Sequence, residues 1–135
     1  GGTRKHSMRT RHFRDLLVWQ KSMHLTQEVY RQTANLPKTE IFGLQSQMRR
    51  AAVSIPSNIA EGHGRLSDPL LRTFLAQARG SLCELETQIQ LCQDLAFIET
   101  AAAQNLFDLC TEVAKMINGL LATLKPKDPK QALTR

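Results

Sequence analysis

Leu71, Leu75, Ala78, Leu82, Leu85, Ile89 and Cys92 alternate steps of four and three without a miss. That spacing places all seven on one stripe of a helix, the arrangement of near-parallel helix packing. Leu106, Cys110, Val113, Ile117, Leu120 and Leu124 repeat it further on. Before them, Leu44, Met48, Ala51/Ala52, Ile55 and Ile59 share one helical face. Earliest of all, Leu16, Trp19, Met23, Thr26 and Tyr30 recur at three and four, with Val18, Leu25 and Val29 as a second stripe. No strand-like alternation occurs. The pattern predicts four helices, roughly 13–35, 40–62, 68–95 and 98–125, with short connections. Such a set folds as an all-α, up-down-up-down antiparallel four-helix bundle.

Punctuation agrees with the periodicity. Leu36-Pro37 ends the first helix, because the residue before a proline is driven out of the helical region. Gly62 and Gly64 read as stop signals for the second. Ser67-Asp68-Pro69 opens the third, a short oxygen-bearing side chain capping free amides and a proline tolerated in the first turn. The segment Ser54-Ile55-Pro56-Ser57-Asn58-Ile59-Ala60-Glu61-Gly62 is less ordinary. At 100° per residue, Gln47, Arg50, Ser54, Ser57, Asn58 and Glu61 gather beside the apolar face as a polar stripe. Pro56 lacks the N–H that would bond the Ala52 carbonyl, at a cost of about 3 kcal/mol in an unprepared helix. A kink is expected there, with a serine or water satisfying the freed carbonyl, and a full break into two short helices is the alternative. Gly80, with Ala76 and Cys83 on the same side, offers a shallow strip for close approach of another backbone.

Charge changes the picture less than its total suggests. The 135 residues carry a net charge of +6. Residues 1–14 hold five bases and no acid, and 125–135 hold four bases against Asp128, which leaves nine bases and eleven acids between. The expectation is a basic N-terminal tail over 1–12, disordered and in part a cloning leader before Met8, a bundle over 13–125, and a basic C-terminal tail over 126–135. Within the bundle, five arginines (Arg49, Arg50, Arg65, Arg72 and Arg79) face two acids between 49 and 79, whereas 84–112 hold six acids and no base. Arg65, Arg72 and Arg79 lie seven apart and read as one stripe on the third helix. Arginine forks onto phosphate, so this stripe with Arg49 and Arg50 is the candidate nucleic-acid surface. The alternative is a solvated flank, or ion pairs between subunits.

Other chemistry finds little support. Three cysteines, Cys83, Cys92 and Cys110, without CxxC spacing, point to reduced, packed thiols and a cytoplasmic protein. No Glu-x-x-His pair of a di-iron bundle occurs, and His24 with Glu28 reads as a surface pair. The serines lack a strand-to-helix elbow, and Gly62-His63-Gly64-Arg65 lacks a preceding strand and a P-loop lysine. No metal, cofactor or catalytic residue is predicted, and no apolar run is long enough for a membrane span.

Several blocks together resemble a known family. They are Phe13-x-x-Leu16-x-Val18-Trp19-Gln20-Lys21, Glu40-Ile41-Phe42-Gly43-Leu44, the run from Gln47 to Gly62, and Phe74-Leu75 with Ala78-x-Gly80-Ser81-Leu82-x-Glu84-Leu85-Glu86. The chain is similar over 13–124 to the four-helix-bundle family of 23S ribosomal RNA intervening-sequence proteins. The resemblance implies a bacterial homo-oligomer, a ring of five. It also implies a relation to the accessory variability determinants of diversity-generating retroelements, basic pentameric barrels that bind nucleic acid and a reverse transcriptase. The slightly acidic middle of this chain departs from that basic type. In this light Ser54, Pro56, Ser57, Asn58, Glu61, Gly62 and Gly80 form a structural signature, with Asn58 and Glu61 expected to bond across helices or between subunits and Arg50 a candidate partner. The expected function is a non-enzymatic oligomer binding RNA, DNA or a nucleoprotein partner. A purely scaffolding oligomer is the alternative.

Overall fold

The computed structural model describes residues 12–124. Their order is α1 (Leu17–Thr33), α2 (Ser46–His63), α3 (Asp68–Asp94) and α4 (Thr100–Thr123), with no strand among the described residues. α1 packs on α2, α2 on α3, α3 on α4, and α4 closes against α1, the α2–α3 seam being the broadest. This is the up-down-up-down antiparallel bundle that the periodicity predicts. Of the predicted tails, only His12 falls within the described residues. Its Nδ1 accepts from the Arg14 amide at 3.1 Å and caps a short 3₁₀ turn.

The helix starts deviate where backbone geometry overrides periodicity. The predicted first helix is interrupted at Leu16, whose backbone is extended (φ −74, ψ 126) between the 3₁₀ turn Phe13–Asp15 and α1. Leaving the helix there drives the Leu16 side chain into the core, at 1% exposure. Phe13 then stacks edge-on against Trp19, ring centroids 5.2 Å apart. The predicted second helix is divided too. A 3₁₀ turn at Lys38–Glu40 is followed by Ile41–Gln45, a stretch kinked at Gly43, whose backbone is not helical (φ −107, ψ −117), before α2 begins. The Glu40 carboxylate accepts from the Leu44 amide at 3.1 Å, and a Cβ on Gly43 would stand 2.9 Å from Glu40 Oε1. A larger residue at 43 would make the Glu40 carboxylate shift from its cap.

The core-facing stripe of α1 is a correction in part: the predicted Val18/Leu25/Val29 stripe is buried together with Leu16 and Thr26 of the other, whereas Trp19, Met23 and Tyr30 are not. Val18, Ser22, Leu25, Val29 and Thr33 are buried, Trp19 lies at the margin, and Tyr30 is 43% exposed. Hydroxyls sit inside because each bonds back along the helix: Ser22 to the Trp19 carbonyl at 2.8 Å, Thr33 to that of Val29 at 2.7 Å. A serine or threonine so bonded occupies a core position as a small apolar group.

α2 passes through Pro56 as one helix rather than two. The freed Ala52 carbonyl accepts from Thr26 Oγ1 of α1 at 3.0 Å, in a buried bond. The expected donor was a serine or water; a threonine from the neighbouring helix supplies the proton instead. That hydroxyl also lies 2.8 Å from the Ser22 carbonyl and shares its hydrogen between the two.

Gly62, expected to stop α2, is buried inside its last turn. A Cβ there would stand 3.0 Å from Phe74 Cβ and 3.1 Å from Leu71 Cδ1 of α3. The missing side chain lets the two helices close at their shared end.

α3 starts as its sequence says, with Ser67 Oγ accepting from the Leu70 amide at 3.4 Å. The seam from Leu75 to Cys92 is buried, as is that of α4 from Leu106 to Leu120. α3 ends in a Schellman motif: Phe97 N–H bonds the Cys92 carbonyl at 2.8 Å, and Ala96 N–H that of Gln93 at 3.0 Å. Ala96 occupies the left-handed position at φ 58, where a Cβ is unfavourable. Ala96→Gly is expected to raise stability by about 0.5–1 kcal/mol, read as a higher urea midpoint at unchanged slope.

Candidate nucleic-acid interface

The five arginines do not converge on one surface of the chain. Arg49 is committed to the C-terminal end of α1. Its Nε donates to Thr33 Oγ1 at 3.0 Å, its Nη2 donates to the Tyr30 carbonyl at 3.2 Å, and its guanidinium lies 4.5 Å from the Tyr30 ring centroid. With Gln45 Nε2 donating to the Thr33 carbonyl at 2.9 Å, α2 caps carbonyls that α1 leaves open, and positive charge meets the negative end of the helix dipole. Arg50, one residue on and about 100° round the helix, is exposed.

The predicted arginine stripe on the third helix needs correction. Arg65 precedes the Ser67 cap and lies in the 64–67 connection, so α3 contributes only Arg72 and Arg79. The Arg65 guanidinium lies 4.7 Å from the Phe74 ring centroid, and Nη2 sits 3.7 Å from Glu61 Oε2. Arg79 reaches Asn118 Oδ1 of α4 at 3.4 Å. Arg72 Nε is buried without a hydrogen-bond partner.

Of the polar stripe of α2, Ser54 meets α3. Ser54 and Ser81 share a hydrogen bond at 2.8 Å, and Asn58 Nδ2 donates to the Ser54 carbonyl at 2.8 Å and to its hydroxyl at 3.0 Å. Within one chain, then, Asn58 bonds inside its own helix and Glu61 pairs with the adjoining connection. The bridge between helices is Ser54 to Ser81. Ser57 is exposed. Gly80 is exposed as well, with nothing within 4 Å of where a Cβ would stand, and Cys83 is exposed beside it.

Between α1 and α2, Trp19, Met23, Val53, Pro56 and Ala60 line a shallow apolar groove of about 310 Å³. Tyr30 and Val53 are 43% and 41% exposed. Periodicity assigned Trp19 and Met23 to the core, so this outer face was missed; the competing Val18/Leu25/Val29 stripe was the signal for it.

Two of the three cysteines are packed as expected: Cys92, whose thiol donates to Met48 Sδ at 3.4 Å, and Cys110. Cys83 is exposed, contrary to expectation. Burial, with the Glu40 carboxylate adding, pushes the Cys92 thiol from 9.0 up to about 11. Burial, with Glu86 adding, pushes Cys110 up to about 12. Native protein should therefore release one fast equivalent in a thiol-reagent assay, and three after unfolding. Both raised values also fix a sign. Unfolded thiols ionise near 9 while the native ones stay protonated, so their contribution to stability is complete below pH 9 and is lost as pH rises toward 11–12.

Glu28 is buried and pairs with Arg31 rather than with exposed His24. Among the described residues no group of three or more histidine, cysteine or acidic side chains gathers as a metal site. No described helix is long and apolar enough to cross a membrane.

The fold and this surface define a helical bundle of polar, arginine-bearing flanks around a largely apolar core. The family model for the 23S rRNA-intervening sequence protein matches residues 14–119, and the chain belongs to that family. Comparison with curated proteins returns no match.

Proposed function

We propose that this chain acts without catalysis, as a homo-oligomer that presents basic side chains to RNA, DNA or a nucleoprotein partner in the cytoplasm. A ring of five copies is the expected assembly. The single observation that carries the reading is the apolar groove between α1 and α2, lined by exposed Val53, which a second copy would cover. Exposed Arg50 and Arg79 and the net charge of +6 supply the attraction for polyanions. Asn58 and Glu61 keep their proposed role between subunits, where Glu61 is exposed and Asn58 half-buried.

A second reading, a purely scaffolding oligomer, draws support from Arg49 and Arg65, which are already engaged within the chain. Titration of generic RNA and duplex DNA at rising salt separates the two. Phosphate-driven binding weakens with a log–log slope of about −0.9 per phosphate contact on duplex DNA and about −0.7 on single strands. Binding with a slope of several units supports the nucleic-acid reading; no binding at low salt leaves the scaffold.

A further inference from the structure

The seam between α1 and α4 opens toward the end of α4. Lys21 and Glu112 pair across it at 3.8 Å, which sets the two helices in register. From Glu112, α4 runs on for eleven residues to Thr123, whereas from Lys21 α1 goes back only four, to Leu17. Among the described residues no helix faces the last turns of α4, because the backbone extends at Leu16 and gives way to the Phe13–Asp15 turn. A cleft of about 380 Å³ is left beside those turns. Leu16, Val18, Met116 and Leu120 make its wall apolar.

Two residues of α4 give the cleft its chemistry. Gly119 lines it, and nothing lies within 4 Å of where its Cβ would stand. A glycine inside a helix costs about 1 kcal/mol against alanine. No neighbour within the chain requires one here, and a side chain at 119 would fill the cleft. One turn earlier, Lys115 is exposed on the same wall. Its side chain makes no ion pair or hydrogen bond among the described residues, Glu112 being taken by Lys21. The Thr123 hydroxyl donates to the Leu120 carbonyl at 2.6 Å, which leaves the ammonium as the one open side-chain donor on the wall among the described residues. On the other side, α1 begins between Leu16 and Val18 without a side-chain cap, and the positive end of its dipole adds to the field of the lysine.

We propose that this cleft binds a free single-chain amphiphile with an anionic head, its tail against Leu16, Met116 and Leu120 and its head on Lys115. An apolar lining with one placed polar group is the usual make-up of a small-molecule site. A cavity of about 150 Å³ holds one six-carbon ring, so a cleft of about 380 Å³ open to solvent takes a chain of about ten carbons and leaves the head in water. Met116, unbranched and flexible, can settle around such a tail. A nucleic-acid phosphate has the charge for Lys115 but no tail for the apolar wall, so this site is separate from the nucleic-acid reading above.

Isothermal titration calorimetry of the full chain with straight-chain carboxylates tests the site. Affinity is expected to rise about fourfold per added methylene up to about ten carbons and then to level off, since further methylenes leave the cleft. Gly119→Leu should weaken decanoate binding by about tenfold or more, because its side chain takes the place of several tail carbons. The same change raises helix propensity at an uncrowded position, so its melting temperature should not fall. Lys115→Gln should weaken decanoate about 3- to 10-fold and leave decan-1-ol unchanged. The site is overturned if the unaltered protein binds no decanoate, if affinity keeps climbing beyond dodecanoate, or if Gly119→Leu binds as well as the unaltered chain. Equal losses of acid and alcohol in Lys115→Gln overturn the anionic head. A lower assembly mass for Gly119→Leu by light scattering, without ligand, means that a second copy rather than an amphiphile fills the cleft, and overturns the proposal.

Discussion

Leu85→Ala is expected to lower the melting temperature by roughly 10–20 °C, the effect of about 2–5 kcal/mol on a domain of this size. Leu85 is 0% exposed in the middle of the α3 seam, with Leu82 and Ile89 at 1% and 0% on either side. Truncation removes transfer free energy and leaves a hole that two long helices cannot collapse into, because α3 is held along its length by α2 and α4. Leu91 on the same helix is 45% exposed, and its replacement by alanine should change stability by about 0.5 kcal/mol or less. Differential scanning calorimetry of the two variants checks the claim. Equal melting points would mean that the seam is not the core.

Thr26→Val should cost about 1–3 kcal/mol although it preserves shape, because it strips the proton donor from a buried carbonyl that Pro56 already denies its helical partner. A double-mutant cycle makes the argument sharper. Pro56→Ala restores an N–H at position 56 that can reach the Ala52 carbonyl, so Thr26→Val in that background should cost less. The coupling is expected at about 1 kcal/mol or more by urea denaturation. Strict additivity would show that the Thr26 hydroxyl serves only its own helix, through the Ser22 carbonyl at 2.8 Å.

These two positions also mark how far the chain could be read before folding. The seams of α3 and α4 and the Ser67 cap are local patterns, so periodicity and capping chemistry recover them. Thr26 and Ala52 lie 26 residues apart, as Ser54 and Ser81 lie 27 apart, and no local rule pairs them. Buried Ser22 and Thr33 hid the true face of α1, since a hydroxyl bonded to its own helix scores as polar yet packs as apolar. The breaks at Leu16 and Ile41–Gln45 depend on where a side chain must insert and on how Glu40 caps Leu44, which hydropathy does not encode. The candidate site was legible in its residue types and not in its geometry. Arg65 falls seven before Arg72 but ahead of the helix cap, and Arg49 is spent on the end of α1.

The proposed function turns on assembly. The groove of Trp19, Met23, Val53, Pro56 and Ala60 is apolar surface that a lone bundle leaves wet. In the proposed assembly another copy would cover it through a heterologous contact, repeated by rotation until the ring closes, and every copy would offer the same exposed arginines. Linked weak phosphate contacts then act together, and affinity rises without any new chemistry in the subunit.

The most direct measurement is the mass of the purified protein in solution by multi-angle light scattering, across a dilution series at moderate salt. The chain weighs 15.2 kDa, and the account predicts a stable species at five times that mass. A uniform 15.2 kDa monomer at every concentration would contradict it, since the α1–α2 face would then have no second copy to cover it.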